Sequence, residues 1–448
     1  MNTAATRLDL LLRGATILTA NADAPEIRNG AVGISGDRIA LVGPAGAELP
    51  PARRVIDLAG RVITPGFVNV HTHSILAMVR GVAADVGFAP SYTPGIPKGT
   101  DVRPEEARAL ARLGALEALL FGSTLIADNF VHADVTLEAM AELGLRVHAS
   151  WRIHDVDFAK VAEGKWEFDP KIGDATLTAG LDLVHRWHGK GRVGVQLAAH
   201  APDTCSEPFL RSIAELARRE NLRVNTHLGQ SAVEIERVKA RTGRTSVELL
   251  DHVGLLNERL IGGHCIYLGD ADIAIMAGSG AHAAHIPKAN ATSGRLAPTP
   301  KLKAAGVNIA LATDTQHADM VELMRWALVT ARVQEGRVTD DWQPRHVFHM
   351  ATLGGARAMG LERDLGTIEV GKKADLVVFD FRRPHLTPAV NPLGNLVHTA
   401  HGRDVEMVLV DGEIVVEGGR PTRVDLERVC AEAEGAAKRL WADCGRPF

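Results

Sequence analysis

Between roughly residues 63 and 364 the hydrophobic pattern switches repeatedly between two periods. Glu105 to Phe121 has the three-to-four-residue spacing of a helix and precedes the apolar run Ser123-Thr-Leu-Ile-Ala-Asp128. Thr136 to Leu143 precedes Arg146-Val-His-Ala-Ser-Trp151, and Pro208 to Glu220 precedes Arg223-Val-Asn-Thr-His227. Thr245 to His252 precedes Leu260-Ile-Gly-Gly-His264, and Leu302 to Ala305 precedes Val307-Asn-Ile-Ala-Leu-Ala-Thr-Asp314. Repeated helix-then-strand units of this length predict a parallel α/β architecture, a closed TIM-like (β/α)8 barrel.

The two ends of the chain read differently. Ala31 to Ile34, then Ser35-Gly-Asp37, then Arg38 to Val42 is a hairpin pattern. Ala374 to Phe379, Val405 to Val410, the Asp411-Gly412 dipeptide and Glu413 to Val416 repeat it near the other end. One small β-sandwich built from both termini (1–62 and 365–423) beside a barrel (63–364) is the economical reading. Val424 to Trp441 has amphipathic helical spacing, so 424–448 is expected to be a C-terminal helical segment.

Polar residues fall at the ends of the central strands: His71, His73, Asp128, His200, His227, His264 and Asp314. Barrel active sites lie at that end of the strands, so residues spread from 71 to 314 are expected to converge. The sharpest stretch is Thr64-Pro-Gly-Phe-Val-Asn-Val-His71-Thr-His73, in which an apolar run ends in two histidines at i and i+2, on one face of a strand. An HxH pair alone is moderate evidence, because two histidines at a strand end are often only polar caps. With His227 and Asp314 it makes a set of three imidazoles and one carboxylate, suited to a divalent ion with room for water. Such an ion lowers the pKa of water from about 16 toward about 7. Asp314 then serves as the proton carrier. His264 and His200 are placed to polarise or hydrogen-bond the reacting group.

Composition narrows the function. Lys plus Arg is 50 against 54 for Asp plus Glu, a formal balance of −4 over 448 residues. That disfavours nucleic acid or an anionic membrane as partner. No apolar run reaches the roughly 20 residues of a membrane span. Leu8-Asp-Leu-Leu-Leu-Arg13 is broken by charge and reads as a strand rather than a signal peptide. Four scattered cysteines without a CxxC are expected to be reduced, and the protein cytoplasmic. The barrel helices and terminal β segments offer surfaces for a homo-oligomer.

Further motifs complete a resemblance. They are Pro65-Gly66 before the HxH, Arg80-Gly81, His200-Ala-Pro-Asp-Thr-Cys-Ser206, Gly263-His264-Cys265, His285-Ile-Pro287 with Asn290 and Ser293-Gly294, Ala312-Thr313-Asp314, Ala351-Thr352 with Gly355-Ala356, and Gly371-Lys-Lys-Ala-Asp-Leu376. Over nearly its whole length the chain resembles the amidohydrolase superfamily, in the branch of triazine hydrolases, guanine deaminase and S-adenosylhomocysteine-type deaminases. The resemblance implies the β-sandwich plus distorted barrel and one divalent metal, zinc or else iron, on His71, His73, His227 and Asp314. It also implies His264 as acid/base and His200 as a substrate contact. No lysine sits at a matching strand end to bridge two ions, so a mononuclear site is expected.

One position departs from the pattern. The family's deaminases carry His-x-x-Glu, and here the stretch is His227-Leu-Gly-Gln230. Glutamine hydrogen-bonds but is neither a general acid nor a base. Attack on an aromatic ring carbon gains from protonation of the adjacent ring nitrogen, a contribution of about 10²–10⁴-fold. A linear amide, urea or carbamate needs that proton less. The expected activity is therefore hydrolysis of a non-peptide carbon–nitrogen bond of amide, urea or carbamate type in a small molecule. Deamination or dechlorination of a nitrogen heterocycle is the alternative, and a non-catalytic scaffold is disfavoured by the full ligand set. Glu234 and Glu236 are expected on a solvated helix face. Trp151, Asn290 and Gln230 are candidate substrate contacts. So is Tyr92, in a Pro- and aromatic-containing loop from Asp85 to Gly99 that also holds Phe88.

Overall fold

The computed structural model describes residues 7–46, 48–86, 93, 95–161, 163–315 and 317–445. Among them, eight parallel strands follow one another in chain order around a barrel: Phe67–Thr72, Ser123–Phe130, Arg146–Ile153, Leu197–Ala199, Val224–Leu228, Leu260–His264, His282–His285 and Asn308–Leu311. Val193–Val195 adds a short pairing to the third strand. The last strand meets the first through a Thr72–Asp314 bridge. There Asp314 N–H donates to His71 O at 3.1 Å and His73 N–H to Asp314 O at 2.8 Å. The candidate residues His71, His73 and Asp314 therefore sit on the seam that closes the barrel.

Buried parallel strands need apolar residues on both faces. Every residue of Ser123–Phe130 and of Val224–Leu228 is buried. The helices form where the spacing predicts, with ends moved by at most three residues: Pro104–Leu120, Ala133–Ala141, Glu207–Arg219, Ser246–His252 and Thr299–Ala304. Pro104–Leu120 starts with proline in its first turn, and the Glu106 carboxylate accepts Arg103 N–H at 2.9 Å. Its Gly114 allows close approach to the turn after His73, because a Cβ there would lie 2.5 Å from Ser74 O. One helix packing choice thus bears directly on the first metal-candidate strand.

The sequence reading places no element over Pro170–Trp187, which is an 18-residue helix. Two glycines, Gly173 and Gly180, dilute its propensity, and tertiary packing makes up the deficit: a Cβ on Gly180 would touch Ile153 at 3.1 Å. Before it, the chain makes an excursion after Ile153, with a short helix Phe158–Val161 and a Val156–Phe168 bridge.

Strands from both termini share one nine-stranded sheet. Leu8–Leu18 pairs with Glu26–Ser35, Ala52–Asp57 and Arg61–Pro65, and the last of these pairs with Leu376–Asp380 from the C-terminal part. Val405–Val410 and Glu413–Glu417 form a hairpin across Asp411-Gly412, whose φ values of 50° and 75° suit a tight turn of the primed type. Leu426–Asp443 is the last helix. It docks beside the barrel, where Trp441 Nε1–H donates to Met78 O at 2.7 Å. No helix among the described residues is long and apolar enough to cross a membrane.

An ion network joins the barrel to the terminal sheet. Arg146, at the start of the third barrel strand, donates to both Asp375 oxygens at 2.8 and 3.0 Å and to Asp411. The Asp375 side chain is only 3 % exposed. Arg146→Ala leaves that carboxylate without its guanidinium, and the expected cost is about 3–5 kcal/mol. A fall in the chemical-denaturation midpoint measures it, and an unchanged midpoint would refute the importance of this joint.

Candidate active site

The structure brings His71, His73, His227 and Asp314 together. One potential ligand atom from each lies within 4.8 Å of all the others, and all four residues are buried. His73 Nε2 is 3.3 Å from His227 Nε2. Asp314 Oδ1 lies 3.4 Å from His73 Nε2 and 3.8 Å from His71 Nε2. Ligands about 2.0–2.2 Å from a tetrahedral zinc stand about 3.3–3.6 Å apart, so most of these separations are those of atoms around one ion.

The ring orientations agree. His71 Nδ1–H donates to Asn225 Oδ1 at 2.6 Å, His73 Nδ1–H to Asn129 O at 2.5 Å and His227 Nδ1–H to His200 O at 2.7 Å. A carbonyl can only accept, so each ring carries its proton on Nδ1 and presents a bare Nε2. His71 Nε2 is buried with no hydrogen-bond partner among the described residues. Burial pushes the His71 pKa down to about 4 and those of His73 and His227 well below the usual imidazole value. All three are neutral ligands at physiological pH. Burial alone lifts the Asp314 carboxyl to about 7, a shift that a divalent cation in the cluster opposes. The donor set, its spacing and its orphaned nitrogen make this a metal-binding group.

Asn225 lies two residues before His227 and so shares its face of the strand; its Nδ2–H donates to Val70 O at 2.9 Å, which aims Oδ1 at His71. The sequence reading misses this residue, although the Asn-x-His alternation carried the signal. Asn69 and Thr313 perform a parallel task at the seam. Asn69 Nδ2–H donates to Thr313 Oγ1 at 2.7 Å and Thr313 N–H to Asn69 Oδ1 at 3.2 Å, which fixes the residue before Asp314.

His264 stacks on His227 with ring centroids 5.6 Å apart. Its Nδ1–H donates to Asn290 Oδ1 at 2.9 Å, so its Nε2 is an acceptor. His264 has φ 72° and Asp314 φ 62°, a conformation that costs a non-glycine residue energy and gathers at functional sites. Asn290 is fully buried and turned to His264. It reaches the histidine from the short helix Pro287–Thr292, and its Nδ2 has no hydrogen-bond partner among the described residues. His200 hydrogen-bonds Thr204 Oγ1 at 2.8 Å, and its ring meets His227 at 4.9 Å and Phe158 at 5.0 Å.

Trp151 points to the other side of its strand. It packs among the outer helices, edge-on to His132 at 6.5 Å, because successive strand residues point to opposite sides. Its neighbour Arg152 reaches the cluster instead. The guanidinium lies over Phe130 at 5.2 Å and Phe158 at 4.5 Å, and those rings contact His73 and His200. Tyr92 and Phe88 lie outside the described residues.

Gln230 is 5 % exposed and follows the cluster on a turn. Glu236 is exposed, as expected of a solvated helix face. Glu234 is not: it is fully buried, and its carboxylate accepts Gly229 N–H and Gln230 N–H, each at 2.8 Å, and the Ser246 hydroxyl at 2.7 Å. The helical pattern could not reveal this, because the burial comes from the neighbouring helix Ser246–His252. With both oxygens engaged behind the turn, Glu234 is not available as an acid in place of the missing glutamate.

Such an arrangement defines a metal-dependent hydrolase acting on carbon–nitrogen bonds other than peptide bonds. The amidohydrolase family model matches residues 62–415, and the chain belongs to that family. It is 36% identical to a 5-methylthioadenosine/S-adenosylhomocysteine deaminase of Moorella thermoacetica, over 94% of this chain and 97% of that protein. It is 33% identical to a 5'-deoxyadenosine deaminase of Methanosarcina acetivorans, over 97% and 99%. Among solved structures, a zinc-bound adenosine deaminase of Xanthomonas campestris superposes with a TM-score of 0.88 at 27% identity, covering 97% of this chain and 99% of that one. Atrazine chlorohydrolase of Arthrobacter aurescens, at 23% identity over 96% and 100% with a TM-score of 0.85, shares the fold.

Proposed function

We propose that one divalent ion, zinc in the first instance, is held by His71, His73, His227 and Asp314, and that the protein hydrolyses a carbonyl carbon–nitrogen bond of amide, urea or carbamate type in a small molecule. The observation that carries the substrate reading is that Asp314 is the one carboxylate in the cluster, with Gln230 on the adjoining turn and Glu234 turned away. A bound ion supplies the Lewis acidity that makes water nucleophilic near neutral pH. Asp314 takes the proton of the attacking water and passes it to the leaving nitrogen. His264 Nε2 accepts from the water and holds its direction of attack, while Asn290 fixes the ring. In a carbonyl substrate the developing charge collects on oxygen, and no ring nitrogen has to be protonated.

A second reading is deamination of an adenine-type nucleoside. The relatives in Moorella and Methanosarcina, an S-adenosylhomocysteine-type and a 5'-deoxyadenosine deaminase, favour it. Gln230 would then hydrogen-bond the ring nitrogen without protonating it.

The metal assignment has a direct test. Dialysis against a chelator should abolish turnover, and zinc should restore it. His71→Ala should lose the ion; full occupancy by elemental analysis would refute this ligand set. Asn225→Ala, which frees the His71 ring, should weaken metal affinity by about 10–100-fold. Competition with a chromogenic chelator measures that change, and an unaltered affinity would show that Asn225 does not aim the ring.

A further inference from the structure

Glutamate three positions into a helix commonly reaches back to the backbone of the capping residue. The helix Ala232–Thr242 begins that way, with Ser231 Oγ accepting Glu234 N–H at 3.1 Å. The Glu234 side chain, however, does not return to Ser231. It passes the cap and takes the N–H groups one and two residues earlier, at Gln230 and Gly229. The same carboxylate accepts Ser246 from the next helix. One side chain therefore ties together the turn after His227, the helix that follows it and the helix beyond.

The turn is fixed from its other side as well. Leu228 O accepts Cys265 N–H at 2.9 Å, and Gly229 O accepts Ile266 N–H at 3.1 Å and Tyr267 N–H at 2.9 Å. Gly229 has φ 59°, and a Cβ there would meet Leu268 at 3.1 Å. The Leu228 and Gly229 carbonyls and the Gly229 and Gln230 N–H groups, four backbone groups of the turn, are thus engaged. The arrangement is costly. Glu234 is fully buried, and burial together with the nearby Asp203 carboxyl raises its pKa, while the Ser246 hydroxyl and the Gln230 and Gly229 N–H groups favour the carboxylate. Asp203 itself is buried, with Trp166 Nε1–H donating to it at 3.3 Å. A buried acid beside a second acid is a poor choice for holding a turn that needs only stability. By contrast, the Gln230 side-chain amide makes no hydrogen bond to the described residues.

We propose that Glu234 is a positioning residue for the reaction: its carboxylate clamps the Gly229 and Gln230 amides so that the Gln230 side chain is presented to the substrate in one orientation. This rests on Gln230 being a substrate contact, whether its amide meets a carbonyl substrate or the ring nitrogen of a heterocycle. A glutamine at 234 offers one acceptor oxygen where two are used, and its NH2 would oppose an N–H donor. An aspartate is one methylene too short to reach both amides.

The test has two arms. Amide hydrogen exchange on the zinc-loaded protein should show Gly229 and Gln230 protected, and exchanging faster in Glu234→Gln; unchanged protection would overturn the clamp. The kinetic arm is a double-mutant cycle on whichever substrate the wild type turns over. Glu234→Gln should lower kcat by about 10- to 100-fold with zinc content unchanged, as expected for a misaimed group. In a Gln230→Ala background the same substitution should change kcat by less than about threefold, because the group it positions is gone. Equal losses in both backgrounds would mean general destabilisation and would overturn the proposal. Ser246→Ala, which removes a single tie, serves if Glu234→Gln does not fold; it should give a smaller kcat loss with the same dependence on Gln230. A wild type silent toward every substrate class would sink the functional reading and leave the exchange arm to decide the clamp.

Discussion

Asp314→Asn should lower kcat by about 10²–10⁴-fold while the protein stays folded. The substitution is close to isosteric, and the backbone bonds that place this residue, from its N–H to His71 O and from His73 N–H to its carbonyl, are untouched. What disappears is the one carboxylate among the clustered side chains. An amide cannot take a proton from water or return one to a leaving nitrogen. Metal content separates the two proposed tasks of this residue. Lost turnover with zinc retained isolates the proton transfer, whereas lost turnover with lost zinc assigns the effect to ligation. A variant that keeps wild-type turnover would contradict both.

Gln230→Glu should have the second largest effect, and in the opposite direction. Burial raises the pKa of a carboxyl at this position, so a glutamate placed there holds a proton near neutral pH. Ammonia release from amino-substituted heterocycles should then rise by about 10²–10⁴-fold, the contribution of a positioned general acid. Hydrolysis of amides, ureas or carbamates should gain little, because their charge develops on oxygen. The ratio of the two activities in mutant and wild type is the quantity to measure. A ratio unmoved by the substitution would show that residue 230 does not face the reacting atoms.

Much of the metal group was legible because strand alternation is strict. His71 and His73 had to share a face, and parallel strands in chain order had to bring His227 and Asp314 to the same end. The same alternation, applied one residue further, separates Arg152 from Trp151, but a strand end alone does not say which parity is inward. The contact of Asn290 with His264 was not legible, because the helix Pro287–Thr292 is brought to that histidine by tertiary packing without a local signature. Glu234 was hidden for the same reason: its helix face looks solvated until Ser246 packs on it. The helix Pro170–Trp187 was obscured by glycines that serve packing rather than flexibility.

The most direct test of the account is a side-by-side turnover measurement on the zinc-loaded wild type. One panel contains simple amides, ureas and carbamates, read by amine release; the other contains aminated purines, pterins, pyrimidines and triazines, read by ammonia release. Turnover should be concentrated in the first panel and abolished by chelation. Chelator-sensitive ammonia release confined to the second, strongest with adenine nucleosides, would contradict the account and establish a deaminase that works without a glutamate at position 230.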